Sequence, residues 1–110
     1  MNALTSQSGG QSGGQSGAQI GETDRLRLAP GVMLRNDRRR GEWMLMAPER
    51  LLVLDEMALA VVRACVGAEA ADVAAGIDRL TAEYDAPRAE VAADVLEMLT
   101  DLRNKGYVVA

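Results

Sequence analysis

The apolar residues of this chain follow two periodicities, and the change between them falls at Asp55. Upstream they form short runs: residues 31–36 (GVMLRN), residues 43–46 (WMLM) and residues 50–54 (RLLVL). Each is of strand length. Between the first two lies DRRRG, residues 37–41, charged and ending in glycine as a hairpin tip does. Ala47-Pro48 breaks the second run. Downstream the spacing becomes helical. Asp55 is a plausible N-cap, and Ala58, Val61, Val62 and Cys65 then share one face. Gly67 stands where a helix stops. Val73, Ile77, Leu80 and Tyr84 mark one face of a second helix. Asp85-Ala86-Pro87 is a break with Pro at the first position of a third helix. Val91, Val95, Met98, Leu99 and Leu102 form its apolar stripe, Gly106 ends it, and residues 107–109 are extended.

Segregated strands and helices predict an α+β fold: a three-stranded antiparallel sheet followed by three helices. The last two helices read as a helix-turn-helix, so the architecture is winged helix-turn-helix-like.

The strands break one rule. Trp43, Met44, Leu45 and Met46, and then Leu51, Leu52, Val53 and Leu54, do not alternate apolar with polar. A sheet covered by helices on one face should carry polar residues on the other. A helix of the same chain, a second copy of the domain or a bound peptide would cover the surplus. An edge strand accepts an extended peptide through main-chain hydrogen bonds. Met33, Met44, Met46, Met57 and Met98, in a chain without Phe, suit either gap-filling in the core or an adaptable surface.

Composition narrows the chemistry. Residues 6–17 repeat Gly, Ser and Gln in a period of four. Residues 1–24 therefore read as a Gly/Ser/Gln linker, native or introduced at a junction, and residues 25–110 as one domain. The chain has no His and one Cys, which removes the commonest general base and any cysteine metal cluster. No nucleotide-binding glycine motif is present. The expectation is a cytoplasmic, non-enzymatic protein without cofactor or membrane span. Net charge is −4, and the third helix carries Glu90, Asp94, Glu97 and Asp101, which would repel phosphate. A DNA-binding winged helix is thereby disfavoured, and a dimerisation module stays open. Arg38, Arg39 and Arg40 are the one basic cluster: a solvated hairpin tip or a contact to an acidic partner.

Several of these residues together carry a family resemblance. They are Pro30 followed by GVMLRND, Trp43 with MLM, the PER-x-L-x-LD pattern from Pro48 to Asp55, and Ala58. Cys65-Val66-Gly67, Tyr84, Asp94-Val95, Met98-Leu99 and the terminal Gly106-Tyr107-Val108 complete the set. The chain from about Leu28 to Val109 resembles the PqqD family of pyrroloquinoline quinone biosynthesis. The resemblance implies a peptide chaperone, a recognition element for ribosomally made and modified peptides. It implies binding of the precursor peptide PqqA and its presentation to PqqE, a radical S-adenosylmethionine enzyme. It implies a peptide lying along the third strand, Arg50, Leu51, Leu52, Val53 and Leu54, against Val91, Asp94, Val95 and Met98 of the third helix. A fusion behind PqqC would account for the linker. The resemblance assigns no role to Arg38, Arg39 and Arg40.

Overall fold

The computed structural model describes residues 20–67 and 72–110. Most of the expected linker, residues 1–19, lies outside the described residues. The element order is β1 (Arg27–Leu28), β2 (Met33–Asp37), β3 (Glu42–Ala47), β4 (Arg50–Leu54), α1 (Glu56–Cys65), α2 (Val73–Tyr84), α3 (Arg88–Asn104) and β5 (Val108–Val109). The class is α+β, and the strand expected third is β4.

β2, β3 and β4 form the three-stranded antiparallel sheet in that order. The β2–β3 turn is set by local chemistry. The Asp37 carboxylate accepts from the Arg39 backbone N–H at 3.0 Å, and Gly41 takes a φ of +67°, open to glycine without strain. Register sorts the strands into two faces. Leu34, Leu45 and Leu52 stand in one row, with Trp43 and Leu54 two residues on along the same face. Leu45 and Leu54 belong to the core, Leu34 and Leu52 pack against it, and Arg63 of α1 sits 4.8 Å over the Trp43 ring.

The helices close this inner face. Asp55 caps α1 through Ala58 N–H at 2.7 Å, and Asp72 caps α2 through Ala75 N–H at 2.9 Å. α2 ends at Asp85, which takes a left-handed φ of +51°. Pro87 precedes α3 as its N-cap instead of occupying the first helical position. α1 and α2 approach closely at Gly76, where an added Cβ would lie 2.7 Å from the Ala64 carbonyl oxygen and still nearer the Cys65 thiol. The core joins Val61, Val62 and Cys65 of α1, Val73, Ile77 and Leu80 of α2, and Val95, Leu99 and Leu102 of α3. Tyr84, expected on the inner face of α2, is exposed because it lies in the last turn, beyond the packed stripe.

Two features depart from the sequence reading. A second sheet of two short strands pairs β1 with β5, so the first and last elements of the fold meet: Leu28 lies opposite Val108. The packed unit also starts upstream of Arg25. Ile20 is buried in the core, and the carbonyls of Glu22 and Asp24 accept the N–H groups of Ala74 and Val73. Arg88 fixes this segment further, bonding Glu22 at 2.7 Å and Asp78 at 2.6 Å. Those two carboxylates raise the guanidinium pKa through their hydrogen bonds.

Candidate functional site

Among the described residues β4 has β3 on one side and no strand on the other, so half of its main-chain groups lie on an open edge. Its alternate side chains have different fates. Leu52 and Leu54 point to the core face, whereas Leu51 and Val53 are 53% and 48% exposed. Register places Met33, Met46 and Leu51 in one outer row, and Arg35, Met44 and Val53 in the next. The outer sheet face is thus apolar and uncovered along β4, as the missing alternation in the sequence anticipated. Met44 is buried there but stands outside the main core cluster, beside Arg35, Arg38 and Arg39.

A cleft opens where β4 hands over to α1. Met57, in the first turn of α1, lines it with Asp94, Glu97, Met98 and Asp101 of α3. The reason is helical geometry. Val91, Asp94, Met98 and Asp101 recur at three- and four-residue steps, forming a stripe beside the buried one of Ala92, Val95, Leu99 and Leu102. Two thioethers and three carboxylates make an apolar slot with an anionic rim. Such a slot takes a mixed apolar and cationic segment of chain; it holds no nucleophile and no paired general acid and base. Lys105 offsets part of the charge, bonding Asp101 at 3.0 Å.

The nine residues expected to hold a peptide therefore divide. Asp94 and Met98 meet in the cleft, and Leu51 and Val53 flank the open edge. The side chains of Leu54 and Val95 are committed to the core, at 6% and 2% exposure, and reach a ligand only through their backbone or by support. Leu52 and Val91 are half-buried against the core. Arg50, at the far end of β4, stacks 4.8 Å over the Tyr107 ring and so ties the sheet to the C-terminal segment. Met57, Glu97 and Asp101 complete the cleft without having been expected there. The seven-residue step from Asp94 to Asp101 was the available signal.

The remaining titratable group of note is inert. Burial pushes the Cys65 thiol up to about 11, so it stays protonated and is a poor nucleophile. No described helix is long and apolar enough to cross a membrane.

The family model for coenzyme PQQ synthesis protein D (PqqD) matches residues 42–108. A PqqA binding protein of Rhodopseudomonas palustris strain TIE-1 is 44% identical over 89 residues, covering 81% of this chain and 85% of that protein. A PqqA binding protein of Xanthomonas oryzae pv. oryzae strain KACC10331 / KXO85 is 42% identical over 78 residues, covering 71% and 83%. Among solved structures, the solution NMR structure of the PqqD truncation of Methylobacterium extorquens PqqCD superposes with a TM-score of 0.70 at 34% identity. It covers 86% of this chain and 98% of that one, and is described as a stand-alone recognition element for ribosomally synthesised and modified peptides. By the family match and by these relatives, the chain belongs to the PqqD family.

Proposed function

We propose that this chain is a peptide chaperone that holds PqqA by strand addition to β4 and presents it to PqqE. The observation that carries the reading is the edge of β4, unpaired among the described residues and flanked by exposed Leu51 and Val53, with the Met57–Met98 cleft at the start of the helix that follows it. Main-chain pairing along the edge supplies affinity, and side-chain slots on either side supply selection. The relatives named PqqA binding protein support the choice of peptide. The exposed carboxylates of α3 speak against duplex DNA as the ligand. The Gly/Ser/Gln-rich sequence ahead of Ile20 fits a domain carried behind PqqC, as the name PqqCD of the Methylobacterium relative suggests. The cytoplasm, where the peptide and its enzyme are made, is the proposed compartment.

The test is an amide NMR titration of the full chain with synthetic PqqA. Shifts are expected along residues 51–54, at Met57 and at Asp94 and Met98. Shifts confined to the β2–β3 hairpin would refute the site. Leu51→Asp leaves the core untouched and is expected to weaken binding by about tenfold, or about 1.4 kcal/mol.

A further inference from the structure

The strand-addition site leaves one prominent surface unused. The turn after β2 carries Arg38, Arg39 and Arg40, and Arg35 projects from the outer sheet face beside it. None of these four makes an ion pair among the described residues, where Arg88 and Lys105 each do. Asp37 and Glu42 are the nearby carboxylates; four cations against two leave this end of the sheet net positive on a chain of net charge −4. One Asp37 oxygen is already engaged with the turn's own N–H groups, at 3.0 and 3.4 Å. That bonding holds the tip in shape, and Arg35, Arg38 and Arg39 gather around Met44 and Met46 in a shallow cleft. Met46 stands between exposed Met33 on β2 and exposed Leu51 on β4, so one apolar row crosses the sheet to its open edge.

We propose that this face docks a second protein through an acidic patch with an apolar centre, at the same time as β4 holds the peptide. Charge complementarity selects the occupant. Unpaired guanidiniums bind carboxylates in a fork geometry, and a methionine floor adapts to apolar side chains between them. Nucleic acid fits less well, because the floor is thioether with no aromatic ring to stack a base. Strand geometry explains why the two sites would cooperate. A peptide added beyond β4 turns alternate side chains toward the outer face, next to Leu51 and Val53. A protein seated across Met33, Met46 and Leu51 reaches those side chains at the edge of the same row. The surface is therefore the one from which a bound peptide is read and delivered. This rests on the proposed peptide reading, and its natural occupant is the modifying enzyme that receives the peptide.

The experiment measures binding of purified PqqE to the full chain, with and without PqqA, for wild type, for Arg38→Glu/Arg39→Glu/Arg40→Glu and for Asp94→Lys. Circular dichroism checks that each variant is folded, and Arg35→Ala serves as a milder second probe. The triple reversal is expected to weaken the enzyme complex by about tenfold or more, to flatten its salt dependence, and to leave peptide affinity within about twofold. Asp94→Lys is expected to weaken the peptide and leave the enzyme affinity of the free chain unchanged. Unchanged enzyme affinity in the triple variant would overturn the docking surface alone. So would mutual exclusion of peptide and enzyme, or equally tight binding of a short DNA duplex to the hairpin. Failure of the enzyme to bind wild type would overturn the docking surface and the presentation role together. Peptide-induced shifts on β4 would survive that outcome and distinguish the two.

Discussion

Replacing Gly76 by Ala sets two physical effects against each other. In an unconstrained helix the change stabilises by about 1 kcal/mol, because Gly loses more backbone freedom on folding than Ala. Here α2 crosses α1 at that residue. The new Cβ would stand 2.7 Å from the Ala64 carbonyl oxygen and 3.0 Å from its carbon, with the Cys65 sulfur closer still. Ordinary contact begins at 3.4 Å, so the helices must part by about 0.7 Å. The main obstacle is the main chain of a helix, which cannot rotate aside as a side chain would. Overpacking of this kind costs about 1–3 kcal/mol, and a backbone obstacle places it near the upper end. After the propensity gain, Gly76→Ala is expected to destabilise by about 2 kcal/mol. For a domain of this size that lowers the melting temperature by about 8–16 °C. Thermal unfolding followed by circular dichroism reads this directly. Ala82→Gly, exposed on the same helix, isolates propensity and is expected to cost about 1 kcal/mol. Adding Cys65→Ala to Gly76→Ala removes the sulfur but not the carbonyl, so it restores part of the loss, with a coupling of about 0.5–1 kcal/mol. A Gly76→Ala protein that melts at or above wild type would refute the close-approach argument.

Asp55→Ala removes the N-cap of α1 and is expected to cost about 1 kcal/mol, lowering the urea midpoint by about 0.5 M with the slope unchanged. The Cys65 thiol, held at about 11 against an ordinary 9.0, keeps its proton longer in the folded chain than in the unfolded one. Its contribution is therefore intact below about pH 9 and is lost as pH rises from there toward 11. Urea midpoints on either side of that window should fall more steeply for wild type than for Cys65→Ala. Adding salt should weaken the hold of Arg88 on Glu22 and Asp78 only slightly, since all three are exposed; a large salt effect on melting would point to a different source of stability.

The sheet and helices were legible because punctuation agreed with periodicity. The run 50–54 matches β4 residue for residue, bounded by Pro48 and Asp55. β1 and β5 were not both legible. Each has two residues, and what makes them strands is pairing across most of the chain's length, which no local window contains. Ile20 was hidden for a related reason: its apolar partners lie far along the chain, and its neighbours in sequence are polar. Within the site, periodicity put Val95 and Met98 on one helical stripe, and the structure separates them by angle. Val95 faces Leu99 and Leu102, whereas Met98 sits at the margin, where the core meets the cleft. A step of one or two residues around the helix decides between packing and binding, and spacing alone is too coarse to resolve it.

The pairing of β1 with β5 bears on how the chain is completed during synthesis. Arg27 and Leu28 leave the ribosome about 80 residues ahead of their partners Val109 and Val108. The Ala29 N–H likewise waits for the Tyr107 carbonyl, which it meets at 3.0 Å. Hairpins and helices can form as they leave the exit tunnel, while this clasp shuts only once residues 107–109 have cleared it. Until then Leu28 lacks its strand partner, and a chain halted short of Tyr107 would hold the sheet and helices without the clasp that joins β1 to β5.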